Sequence, residues 1–187
     1  MKLGLTLLRV TVGATFFAHG AQKLFGWFGG HGPEATAQAF EGMGLRPGKR
    51  SALVAGASEA GGGALVALGL LTPLGSAATT GVMSQAIRTV HWEKGFFVTE
   101  GGYEYNVVLI AAAAALADAG PGPVSLDRVL GTERSGPLWA LAALGAGLAG
   151  PRILERLAPP ATPPTPARFS RTDGRPQAAR ETVGSSR

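Results

Sequence analysis

The sequence predicts an all-α membrane protein: a polytopic four-helix bundle, then a fifth hydrophobic helix and a disordered C-terminal tail. Three observations carry that reading. The 187 residues are 45% hydrophobic and only 16% charged, whereas soluble domains average about 25% charged residues. Four apolar runs follow one another at roughly the length that crosses a bilayer. The most informative, Ser51–Leu71, holds one ionisable side chain, Glu59. At about 1.5 Å per residue it covers roughly 31 Å, the thickness of a hydrocarbon core. Its many glycines would make a poor helix in water, at a cost of about 1 kcal/mol each relative to Ala. In lipid the same residues let backbones approach, as Gly56/Ala60 and Gly63/Ala67 do at four-residue spacing.

The first span is Leu3–Ala21, interrupted by Arg9. Lys2 followed by an apolar run has the look of a signal peptide, but Arg9 and the later apolar segments favour a retained helix. Phe25, Trp27 and Phe28 beside Lys23 read as an interfacial anchor. Pro33–Met43 is a short amphipathic helix along the membrane surface, with Pro33 suited to its start and Gly44 to its stop. Ser51–Leu71 is the second span, Leu74–Val90 the third and Tyr105–Ala119 the fourth. Residues 91–104 form an aromatic and charged loop with glycines at both ends. A Pro/Gly-punctuated connector holding Ser125-Leu126-Asp127 leads to Leu138–Leu154, which Pro151 and Arg152 shorten to a marginal span or a helix lying on the bundle. The chain thus divides into a core over 1–131, a fifth segment over 132–157 and a tail over 158–187, whose Pro, Ala, Thr, Ser and Arg cannot bury a core.

A carboxylate inside lipid costs about 2.5–3.5 kcal/mol on insertion scales, so Glu59 should face the bundle interior. When the spans alternate in direction, Glu59, Gln85, Arg88, His91, His19 and Lys23 gather toward one side of the membrane. Tyr103 and Glu104 enter the fourth span from that side. Arg9, Phe16 and Lys23 share a face at seven-residue spacing, and Gln85, Arg88 and Trp92 fall at i, i+3 and i+7. The pattern predicts a half-buried polar pocket roofed by aromatic loops, with almost nothing polar at the opposite end. The competing account is that these charges only hold the helices in register.

Several function classes fall away. The pI of 10.2 does not mark a nucleic-acid module, because aromatics do not interleave with the basic residues and seven of the 17 Lys/Arg follow Pro151. With no cysteine, disulfides, thiolate metal sites and iron–sulfur ligation are excluded. His19 and His91, without a fixed phase, do not make a metal or haem site. No phosphate-binding loop, dinucleotide fingerprint or nucleophile elbow occurs.

The run LRVTVGATFFAHGAQKLFGWFG, the segment SEAGGGALVALGLLTP, the loop HWEKGFFVTEGGYEYN and the connector PGPVSLDRVLG together resemble the DoxX family, over about residues 3–131. The resemblance implies a four-helix integral protein of the bacterial cytoplasmic membrane, of a family linked to thiosulfate:quinone oxidoreductase and to membrane oxidoreductase complexes. Its motif falls on Arg9, His19, Lys23, Glu59, His91, Gly102, Tyr103 and Glu104. Thr72-Pro73 departs from it, since a basic residue often follows that Thr, and the fifth segment and tail are additions.

The resulting expectation is a subunit of a quinone-linked membrane oxidoreductase system, working with soluble redox partners. Glu59, His91 and His19 are its candidate catalytic groups. Arg9, Lys23, Gln85, Arg88, Tyr103 and Glu104 are its candidate cofactor-binding groups, with a quinone the cofactor to consider and no metal. The alternatives are a non-catalytic scaffold for soluble redox enzymes and, ranked last, a small-solute transporter. With five spans, Lys23, Arg46, Lys49, Arg50, Lys94 and the tail arginines share a side, which the positive-inside rule assigns to the cytoplasm; with four, the tail joins the other side and the bias nearly vanishes.

Overall fold

A computed structural model describes residues 3–157, and the tail expected to be disordered lies outside them. Among the described residues there are seven α-helices and no strand. They are α1 (Leu3–Phe25), α2 (Gly32–Gly42), α3 (Gly48–Leu68), α4 (Thr72–Ala86), α5 (Glu104–Ala119), α6 (Leu126–Leu130) and α7 (Pro137–Leu157). A single π turn, Ile87–His91, continues α4. Three helices, α1, α3 and α7, are long and apolar enough to cross a membrane. The third and fourth expected spans are shorter as α-helices, at 15 and 16 residues, below the roughly 20 that a span needs.

α1 packs along α3, α3 along α4, and α4 along α5; α7 lies against α4 and α5, and α2 against α3. The α1–α3 contact rests on small residues, as their spacing predicts. A side chain at Gly13 would strike the backbone of Gly63 and Ala67, and one at Gly20 the backbone of Gly56 and Ala60. The two helices therefore touch backbone to backbone at two points one heptad apart on α1. Below the cavity described next, Val12 and Phe16 of α1 meet Leu109 of α5, with Val82, Met83 and Ala112 packed around them.

Two expectations need correction. Pro151 does not shorten the fifth segment, for α7 runs on through Leu157. A proline cannot bond the carbonyl four residues back, here that of Gly147. Ser84 Oγ, which donates to Gly81 O at 2.9 Å, lies 3.4 Å from this freed carbonyl, and side-chain hydroxyls of this kind stabilise proline within apolar helices. Gly147 has room for no side chain against Thr80, so α4 comes close enough for that contact.

The second correction concerns the end of the molecule opposite the polar pocket, which is not apolar. Asp127 is fully buried there. Its carboxylate accepts from Leu71 N at 3.0 Å, Thr72 N at 3.2 Å, Thr72 Oγ1 at 3.3 Å and Thr132 Oγ1 at 2.9 Å, and its own N–H donates to Gly69 O at 2.9 Å. The turn it grips is strained, with Leu71 at φ 45°, a conformation costly for any residue with a Cβ. The connector thus locks the α3–α4 turn from 55 residues away.

Burial alone would raise the Asp127 pKa, but these hydrogen bonds outweigh it and hold the carboxyl below its ordinary 3.8. Because the unfolded chain then takes up the proton first, the stabilisation is complete above the ordinary value and is lost as pH falls through the folded one. Acid unfolding followed by circular dichroism should show this dependence below about pH 4 in the parent and a flatter curve in Asp127→Asn. For the helix contact, Gly20→Leu should cost roughly 1–3 kcal/mol by overpacking. Gly61→Leu, which meets open space, should leave the thermal midpoint within about a degree or two of the parent's.

Candidate functional site

A cavity of about 310 Å³ opens at the end of the bundle where α1 and α4 finish and α3 and α5 begin. α1 contributes Phe16, His19 and Lys23 to its lining, α3 contributes Glu59, and α5 contributes Tyr105 and Asn106. The π turn places His91 in the wall. Such single-turn bulges rotate the residues beyond them relative to a regular helix and recur at functional sites.

Glu59 is 5% exposed and accepts from Lys23 Nζ at 2.5 Å. Two features of the sequence produce this pair. Gly20, one turn before Lys23, seats α1 on the backbone of Gly56 and Ala60, and Glu59 immediately precedes Ala60. A lone buried carboxylate would be costly, and a half-buried ammonium held against it offsets that cost. His91 donates from Nδ1 to Gly101 O at 2.7 Å, since a carbonyl can only accept. That bond assigns the proton to Nδ1 in the neutral ring and leaves Nε2 with the lone pair. His19 is exposed at the cavity's edge.

The residues expected in the pocket divide accordingly. Lys23, Glu59, His19 and His91 are brought together. Arg9 is not: it is buried at the far end, donating to Val66 O at 3.3 Å, Ala67 O at 2.7 Å and Val124 O at 2.5 Å. It tops the C-terminal carbonyls of α3, which have no partner within the helix, and so is a structural cap. Gln85 and Arg88 turn away toward α7, where Glu155 accepts from Gln85 Nε2 at 2.9 Å and Arg88 Nη2 at 3.1 Å. Gln85 and Arg88 share a face whose partner is the fifth helix, whereas Trp92, the third residue of the expected stripe, is exposed and stacks on Tyr103.

Tyr103 and Glu104 build the roof and do not line the cavity. Tyr103 stacks on Trp92 with ring centroids 5.5 Å apart and meets Phe96 edge-on at 5.6 Å. Glu104 accepts from Val98 N at 3.0 Å, and Glu104 N donates to Phe96 O at 2.8 Å. Gly102 is packed so tightly against Gly95 and Phe96 that no Cβ fits. The roof is therefore a self-bonded loop, tied to the wall through His91.

Asn106 was missed. It is 6% exposed, lines the cavity, and donates from Nδ2 to Met83 Sδ at 3.4 Å, a weak acceptor. The signal was present in the sequence, because Asn106 is the one amide in the fourth apolar run.

The cavity's chemistry follows from this inventory. It offers an amine donor, a carboxyl group, an imidazole whose Nε2 faces no partner among the described residues and an underused amide, set behind an apolar edge of Phe16, Leu109 and Tyr105. Among the described residues no three His, Asp or Glu side chains converge as metal ligands. The arrangement can bind a polar head on an apolar body and move protons to and from it.

Among known proteins, the family model described as DoxX matches residues 4–92. No curated protein and no solved structure matches the chain. The match is shorter than the resemblance read from the sequence, and it ends at Trp92, before the second half of the roof and before α5. It contains Lys23, Glu59, His19 and His91, the charged and imidazole side of the cavity, so the match to the DoxX family covers that side of the site, over residues 4–92.

Proposed function

We propose that the protein is a multi-pass subunit of a quinone-linked oxidoreductase system in the bacterial cytoplasmic membrane. In this reading α1, α3, α5 and α4 with its π turn cross the bilayer as a four-helix bundle, and α7 crosses as a fifth helix. The observation that carries it is the cavity's two-sided character: a wall of Lys23, Glu59, His91 and Asn106 behind an apolar edge. A quinone head group has the matching chemistry, with oxygens that accept hydrogen bonds on a ring that prefers an apolar surround.

Lys23 and Asn106 donate to such oxygens, while Glu59 and His91 Nε2 supply and accept the protons that quinone reduction and quinol oxidation exchange. A bound quinone would accept or release the electrons. With no cysteine in the chain, no thiol or iron–sulfur relay within it delivers them. A soluble or membrane partner is therefore the electron donor. The volume of about 310 Å³ lies at the lower end of small-molecule sites, which run from about 300 to 1,000 Å³, and suits a head group with its tail left in lipid.

Purified chain in lipid nanodiscs should bind a short-tailed quinone analogue and quench tryptophan fluorescence. The double variant Glu59→Gln with His91→Ala should weaken that binding by about tenfold or more. Equal affinity in parent and double variant would remove the reading. The proposed five crossings put the end of α7 beside the cavity, because Glu155 reaches Gln85 and Arg88. Single cysteines at His31 and Leu157 should accordingly label from one side of the membrane and one at Arg134 from the other; labelling of Leu157 and Arg134 together would mean that α7 does not cross.

A further inference from the structure

A second hollow, of about 260 Å³, lies on the outer side of α1, bounded by Gln22, Gly29, Gly30 and His31 and by Thr36 and Ala39 of α2. Lys23 lines both hollows. It is the only residue shared by the two linings. Its ammonium bonds Glu59, which belongs to the inner cavity alone. The two spaces differ in place. The inner cavity is edged by Phe16, Leu109, Tyr105 and Val98 between α1 and α5, helices that meet in the apolar cluster of Val12, Phe16 and Leu109. The outer hollow is walled by glycine backbone, Gln22, His31, Thr36 and the methyl groups of Ala35 and Ala39, beside the exposed aromatics Phe25, Trp27 and Phe28 that mark a membrane–water interface.

We infer that the Lys23–Glu59 pair is a partition between the inner cavity and a water-side groove under α2. This rests on the proposed function in that the occupant of the inner cavity arrives from the bilayer. It adds the route by which the site communicates with water. The hydrogen bond from Lys23 Nζ to Glu59 Oε2 spans the partition. Transfer of its proton leaves a neutral amine on the groove side and a carboxylic acid on the cavity side. The acid gives that proton to a basic oxygen in the cavity, and groove water protonates the amine, the hydroxide left behind passing to bulk water, so the pair ends as it began.

The absence of cysteine makes the partition directly testable in the full chain, without any bound quinone. Thr15→Cys places a thiol in the inner cavity and Ala39→Cys places one in the groove. In nanodiscs, a membrane-impermeant trimethylammonium thiosulfonate should modify Ala39→Cys readily and Thr15→Cys slowly, while lipid-soluble N-cyclohexylmaleimide should modify both. Adding Lys23→Met or Glu59→Gln should speed the charged reagent's reaction with Thr15→Cys about tenfold or more and leave Ala39→Cys unchanged. The two changes alter local charge in opposite senses, so acceleration by both reports an opened passage and not attraction of the reagent. If Lys23→Met does not fold, the near-isosteric Glu59→Gln decides alone. Rapid reaction of Thr15→Cys with the pair intact, or no acceleration on breaking it, overturns the inference. Neither result touches quinone affinity, which has its own assay.

Discussion

The close approach of α1 to α3 is the constraint on which the other features depend. Lipid gives two apolar helices little reason to associate, since acyl chains are as apolar as leucine. Association must come from contact density and from polar groups that find each other only when the backbones are near. Gly13 and Gly20 on one side, with Gly56, Ala60, Gly63 and Ala67 on the other, supply the first. Lys23 and Glu59 supply the second at the end of the same contact. The order of cause matters. An ion pair buried in low dielectric seldom stabilises a fold by itself, so the pair does not explain the packing. The glycines explain the packing, and the packing makes the pair short, half-dry and fixed in position.

The two ends of the molecule use buried charge for different ends. At the far end Arg9 and Asp127 are held mainly by backbone: carbonyls of α3 and the connector take both terminal nitrogens of Arg9, and N–H groups of the α3–α4 turn, with the hydroxyls of Thr72 and Thr132, take the carboxylate. Groups with so many fixed partners have little capacity left for a ligand. At the cavity end the bonds are few. Glu59 bonds one residue, His91 one carbonyl, and Asn106 a sulfur. Unspent hydrogen-bonding capacity in a hollow is what distinguishes a site from a brace. That contrast favours a working cavity over the alternative in which every charge only fixes helix register.

Much of this was legible in one sequence, and the failures share a cause. Small residues at four-residue spacing identified the α3 face, and a lone carboxylate in an apolar run identified its polar contact, because both signals are local to one helix. Helical phase also placed Gln85 and Arg88 on one stripe. Phase cannot say which neighbour that stripe meets, and Pro151 and Arg152 read as shortening the fifth helix just before Glu155. The compensation lies on another helix, at Ser84 and Gly81 of α4, where no local rule would find it. Asp127 was equally hidden, as a connector carboxylate gains meaning only when the chain folds back across more than fifty residues to Leu71 and Thr72.

The pair also bears on which occupants the cavity can tolerate. A guest that separates Lys23 from Glu59 must replace what each loses, because one buried charge left alone costs several kcal/mol. An oxidised head group offers only acceptors, so it satisfies Lys23 and leaves the carboxylate short of a donor. A reduced head group offers hydroxyls, which donate to Glu59 or to His91 Nε2 while their oxygens still accept from Lys23 or Asn106. Protonation of Glu59 reverses the balance, since a carboxylic acid can itself donate to a carbonyl. Under the proposed function, then, the proton on Glu59 and the redox state of the guest are linked by hydrogen-bond complementarity. A cavity with no electron carrier of its own can still couple the two, provided its carboxylate and ammonium stay within reach of each other.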